Sequence, residues 1–137
     1  MSIIVTDTGF APDDFAGLVR PLAEADLLAA GEGVEIGPAD DPRALAEALS
    51  RVAMVRVRFL AFNDGRGFTH GRDLRDLGFR GRLRAAGHVL ADQYAMARRS
   101  GFDEVEIDEA LAARQPEDQW RARADWRAHD YQARLRA

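Results

Sequence analysis

The chain has 137 residues, 47% of them hydrophobic and 31% charged, the composition of one globular domain with a core of its own rather than of a disordered or membrane-spanning chain. A net charge of −4 disfavours a surface built to coat nucleic acid. Without cysteine, the chain by itself makes no disulfide, thiolate metal site, cysteine-held cluster or thiol nucleophile.

The opening MSIIVTDTGFAPDD has no basic region and turns acidic at once. It does not look like a signal peptide, and no apolar run reaches membrane-spanning length, so a cytoplasmic address is expected. Ile3 to Val5 read as a short strand. Phe15, Leu18, Val19, Leu22, Leu27 and Leu28 keep a partly helical rhythm that Pro21 interrupts. From residue 34 the pattern is clearer: Val34 to Ile36 read as a strand, and residues 40–50 as a helix with Asp41 at its N-cap and Pro42 in its first turn. A strand over 53–62 completes a βαβ unit. A helix near 70–77, a strand over 82–86, a helix over 89–100, a strand over 104–107 and a short helix from about 108 follow.

A weak repeat supports this alternation, since RDLGFRGRLRAAG and ARRSGFDEVEID each run helix, glycine, phenylalanine, short link, strand. Gly78 and Gly101 stand where helices end in a left-handed residue, and Phe79 and Phe102 where the chain packs back onto the last turn. Short links between alternating strands and helices give right-handed crossovers and parallel neighbours. The expected fold is α/β: an open, mostly parallel sheet of four to five strands with covering helices. Residues 1–137 form a single domain, with 116–137 as a C-terminal helical extension.

Ligands of open α/β sheets bind outside the carboxyl ends of the strands. That rule puts Asn63, Asp64, Arg66 and Thr69, then Gly87, His88 and Asp92, then Asp108 and Glu109 on one rim. Gly65 and Gly67 let the backbone turn beside Arg66, and the next helix points its free amides there. Such a corner suits an oxyanion gripped by Arg66, with Thr69 as helix cap and Arg72 one turn on. His88, between a glycine and a helix start, is a candidate acid–base residue together with Asp64; His70 and His129 are weaker candidates. Asp92 would hold Arg66 or Arg72 in place. No two histidines stand four apart and no H-E-x-x-H is present, so no metal is expected, and no dinucleotide fingerprint calls for a cofactor.

In the tail, Trp120, Ala124, Ala128, Tyr131 and Leu135 keep helical spacing, and Trp126 falls off that stripe. An exposed Trp126 would invite a subunit partner, so a homo-oligomer through this helix is one reading. The arginines there alternate with Asp125 and Asp130 and form no basic stripe.

The stretch DGRGFTHGRDLRDLGFRGRLRAAGHVLADQYAMARRSGFDEVEI resembles the central signature of an uncharacterised bacterial family, the domain of unknown function DUF934. Asp64, Gly65, Arg66, Gly67, Arg75, Asp92 and Gln93 match the family pattern. The family commonly has an acid where this chain has His88 and a cysteine where it has Ser100, so neither position carries over as a fixed functional residue. Members are often labelled oxidoreductases of sulfite reduction, although the residues themselves offer no redox group. The resemblance implies an accessory protein of assimilatory sulfite reduction that supports a sulfite reductase by docking or by anion handling. The alternative is a small enzyme or binding protein for an oxyanion or phosphorylated metabolite at the strand ends.

Overall fold

The computed structural model describes residues 2–127; the expectations for Ala128, His129, Asp130, Tyr131 and Leu135 lie outside the described residues. Among the described residues there are seven strands, β1 (Ser2–Thr6), β2 (Gly9–Pro12), β3 (Val19–Pro21), β4 (Gly33–Ile36), β5 (Met54–Phe59), β6 (Arg82–Gly87) and β7 (Glu104–Asp108). Four α-helices accompany them among the same residues: α1 (Arg66–Asp76), α2 (Tyr94–Arg99), α3 (Glu109–Arg114) and α4 (Glu117–Arg121). Tighter 3₁₀ turns occupy Leu22–Leu27, Pro42–Leu45 and Ala91–Gln93.

All the strands join one sheet in the order β2-β1-β7-β6-β5-β4-β3. The α/β class stands, but the sheet has seven strands where four to five were expected. Strands β3 to β7 are parallel, while β1 lies antiparallel to β7 and β2 antiparallel to β1. The unforeseen strands sit at the two edges. β2 contains a glycine and a proline and no β-branched residue, and β3 is three residues ending in Pro21; such strands are tolerated at an edge, where a missing N–H breaks no ladder.

Because β3 to β7 follow chain order, every right-handed crossover returns on the same side of the sheet. Val34, Ile36, Val55, Val57, Phe59, Leu83, Ala85, Val105 and Ile107 point to that side and share one core with Phe68, Leu74, Tyr94, Ala97 and Trp120 from the helices. The alternate residues Glu35, Arg56, Arg58, Arg82, Arg84, Glu104 and Glu106 therefore point to the other side, which carries no helix. A bare parallel sheet is unusual; here charge covers it. Arg84 Nε donates to Glu104 at 2.6 Å and its Nη1 to Glu106 at 2.7 Å, while Arg56 Nε reaches Glu35 at 2.8 Å.

The chain from Pro12 to Val19 has to cross this face, since β2 and β3 are opposite edges. It is tied down as it passes. Asp13 takes both Nη atoms of Arg84, at 2.9 and 3.0 Å, Asp14 pairs with Arg82, and the Phe15 ring lies under the Arg82 guanidinium at 5.9 Å. Arg84 is fully buried beneath this strap. Burial works against its charge, yet Asp13, Glu104 and Glu106 hold its pKa above the ordinary arginine value.

Both expected helix ends are present: Gly78 and Gly101 have φ of 99° and 107°, and the amides of Phe79 and Phe102 reach back to Leu74 and Ala97. The helix expected over 40–50 is a 3₁₀ turn over Pro42–Leu45 with looser turns after it, although Asp41 does cap it, accepting from the Arg43 amide at 3.0 Å. Of the helix expected over 116–137, α4 covers Glu117–Arg121 and the chain then leaves it for turns up to residue 127; the rest lies outside the described residues.

Candidate functional site

The rim residues do not gather into one pocket; they divide between two hollows. The first lies at the ends of β6 and β7 beside α3, encloses about 180 Å³ and is lined by Phe62, Gly87, His88, Glu106, Asp108, Leu111 and Arg114 among others. Its shape depends on Gly87, whose φ is 111° and where a Cβ would lie 2.6 Å from the Phe59 carbonyl oxygen. No other residue type enters that position without strain. The turn it makes lifts His88 to the surface against the previous loop. His88 Nδ1 donates to the Leu60 carbonyl at 2.8 Å, and its ring lies 4.9 Å from that of Phe62. In the neutral ring this fixes the lone pair on Nε2.

Gln93 holds the two loops together, accepting from the Leu90 amide and donating to the Phe62 carbonyl, each at 2.8 Å. Leu60 remains 55% exposed beside them. The rim thus presents the Phe62 and His88 rings together, with the exposed Leu60 bonded to His88 through its carbonyl. A second, shallower hollow adjoins the first through Gly87 and Glu106 and is lined by Glu35, Arg56 and Arg58.

Arg66 and Thr69 line a different hollow, between the Pro42–Leu45 turn and α1, with Ala39, Asp40, Asp41, Pro42, His70 and Asp73. The expected anion grip is already closed: Arg66 Nη2 reaches Asp64 at 2.7 Å and Arg66 Nε reaches the same carboxylate at 3.0 Å. The Arg66 side chain and amide hold the Asp64 carboxyl at about 2. Thr69 is not the cap, because α1 starts at Arg66 and Asp64 Oδ1 accepts from the Arg66 amide at 3.1 Å. Gly67 is required by packing and not by a turn: a Cβ there would meet the Phe59 ring at 2.4 Å, whereas one on Gly65 would meet nothing within 4 Å.

The other expectations are corrected in the same way. Asp92 pairs with Arg123 at 2.8 Å and holds neither Arg66 nor Arg72; Arg72 is exposed and in no ion pair among the described residues. Asp108 caps α3, accepting from the Leu111 amide at 2.7 Å. Trp126 is half-buried on its own domain, with Arg98 4.8 Å from the ring and its Nε1 donating to Asp7 at 3.3 Å. Arg75, one of the family positions, is structural: it donates to the carbonyls of Phe79, Gly81 and Gly101 and pairs with Asp103.

Phe62 and Arg114 are the functional candidates that sequence reasoning passed over. Phe62 and Arg114 carry no motif, and only the folding of two loops and α3 toward one another brings them to His88.

Fold and site together define a small α/β protein with a one-sided sheet and hollows along its strand-end rim. The model of the family described as a bacterial protein of unknown function, DUF934, matches residues 33–137, and the chain belongs to that family. The match begins at β4, so β1 to β3 precede it. No curated protein and no solved structure gives a significant match.

Proposed function

We propose that this protein is a non-catalytic accessory of assimilatory sulfite reduction that docks on a sulfite reductase through the patch of Leu60, Phe62 and His88. The pathway comes from the resemblance to the family; the surface comes from the rim. The observation that carries the reading is Leu60, 55% exposed, on a backbone whose carbonyl is held by His88, itself packed on the Phe62 ring. Large apolar side chains held rigidly at an exposed rim cost little ordering entropy on association, which is the character of interface anchors. The polar groups nearby support the same reading, because Asp64, Asp92 and Asp108 are each engaged within the chain.

Capture of the purified reductase by the immobilised full chain tests the proposal. Leu60→Asp should abolish capture and Arg66→Ala should leave it unchanged. Capture lost with Arg66→Ala and kept with Leu60→Asp overturns it.

The second reading, oxyanion handling, finds its support in the first hollow, where His88 and Arg114 stand together. Sulfite or phosphate raising the melting temperature, with Arg114→Ala removing the effect, would favour it, since a ligand of the native state alone stabilises by mass action.

A further inference from the structure

The strap covers the helix-free face of the sheet along only part of its length. It crosses where the strands begin: Asp14 pairs with Arg82 and the Phe15 ring lies beneath that guanidinium, and Arg82, Met54 and Gly33 stand side by side at the starts of β6, β5 and β4. Asp13 covers Arg84, two residues further along β6. Beyond that row, toward the strand ends, Arg58 is in register with Ala86 and its side chain is 54% exposed. A parallel sheet is ordinarily covered on both faces, so this part of the sheet lacks its second layer.

The uncovered part is concave. The hollow over it, about 140 Å³ with Arg58 in its wall, runs through Gly87 and Glu106 into the first hollow, where Arg114 stands. Gly87 brings only backbone to the passage between them. The charges in this groove are unequally satisfied. Glu35 accepts from Arg56 Nε at 2.8 Å, and Glu106 accepts from Arg84 at 2.7 Å and from the Ser2 hydroxyl at 3.2 Å. Both carboxylates are thus taken by less exposed arginines. Arg58 keeps Glu35 at 3.7 Å with no hydrogen bond to its guanidinium, and Arg114 is exposed with neither an ion pair nor a side-chain hydrogen bond, among the described residues. The spare charge of the groove is therefore positive, on a chain whose net charge is −4.

We infer that the groove from Arg58 to Arg114 receives an extended acidic segment of a partner protein, laid beside the strap as the missing layer. The strap is the precedent within the chain: it crosses the same face with adjacent carboxylates on Arg84 and Arg82 and a ring on the second of these. Carboxylates spaced along one chain serve both arginines, whereas a small oxyanion occupies one hollow. The inference goes beyond the oxyanion reading, which needs Arg114 without Arg58. It does not rest on the rim patch either, since Leu60 lines neither hollow.

Titration of the full chain with a short acetylated and amidated peptide of alternating glutamate and serine, followed through backbone amide NMR signals, tests it. The peptide should shift the amides of Arg58, Ala86, Gly87 and Arg114 saturably, although the net charges of peptide and protein repel; its glutamine counterpart should not. Arg58→Ala and Arg114→Ala, both exposed substitutions that leave the core intact, should each weaken binding about fivefold. Leu60→Ser should leave it unchanged. No saturable shift, equal binding of the glutamine peptide, or an unchanged affinity in Arg58→Ala overturns the inference. So does a loss with Leu60→Ser, which would move the peptide to the rim, or a shift confined to residues 13–18, which would make it a competitor of the strap. Inorganic sulfate that binds more tightly than the peptide and is lost with Arg114→Ala alone would also overturn it, and would leave the oxyanion reading standing.

Discussion

Asp64 and Arg66 are two residues apart, and that spacing alone closes a fork: the carboxylate accepts both the Arg66 amide and its guanidinium. Asp41 and Arg43 repeat the arrangement one crossover earlier. An Asp-x-Arg at the end of a strand in this fold is therefore a turn device before it is a ligand grip. The sign of the pH dependence comes from the same contacts. The Arg66 side chain first, and its amide second, hold the Asp64 carboxyl at about 2, below the usual 3.8, so the pair contributes stability above about pH 4 and loses it as the pH falls toward 2. Carboxyl-carbon NMR titration should find that midpoint, and Arg66→Ala should return it toward 3.8. Gly87 is the second residue-scale case. Gly87→Ala combines a positive φ with a clash on the Phe59 carbonyl, and urea unfolding should show a loss of about 2 kcal/mol or more.

At the scale of elements, α1 sorts its glycines by what they touch. Gly71→Ala drives a Cβ to 2.5 Å from the Phe102 ring and should cost about 1–3 kcal/mol despite the better helix propensity of alanine. Gly65→Ala, with nothing near it, should stay within about 0.5 kcal/mol of the parent in the same unfolding measurement. The sequence shows the glycines but not this difference, because the rings of Phe59 and Phe102 arrive from strand β5 and the link before β7. The strands from β4 onward were legible because Val55, Val57 and Phe59, or Val105 and Ile107, alternate cleanly with charge. β2 and β3 were not, since edge pairing supplied by β1 and β4 needs no propensity of their own. The alternation Arg56, Arg58, then Arg82, Arg84, then Glu104, Glu106 also held a message that strand assignment alone leaves unused: charges two residues apart on three neighbouring strands mark a helix-free sheet face. The candidate site was legible in part. His88 and the glycine before it stand where expected, whereas Phe62 and Arg114 join them only through loop packing.

For the whole molecule, the sequential strand order is the governing feature. It puts every crossover on one side, leaves the other to ion pairs, and sends residues 13–18 across it as a strap over Arg84. Arg84→Met should cost about 1–3 kcal/mol in urea unfolding, because it leaves the buried Glu104 with Arg82 as its remaining arginine, at 2.8 Å, and unpairs Asp13 and Glu106. The double variant with Glu104→Leu should recover part of that loss, since an apolar pair of similar volume tolerates burial better than a half-paired charge and Arg82 keeps Asp14 as a partner. Under the proposed docking, the strand-end rim and not the strap meets the other protein. Amide hydrogen exchange of the full chain, alone and with saturating sulfite reductase, tests that most directly. The account predicts slowed exchange confined to residues 60–62 and 87–90, with 13–18 unchanged; no slowing at the rim, or slowing along the strap instead, would contradict it.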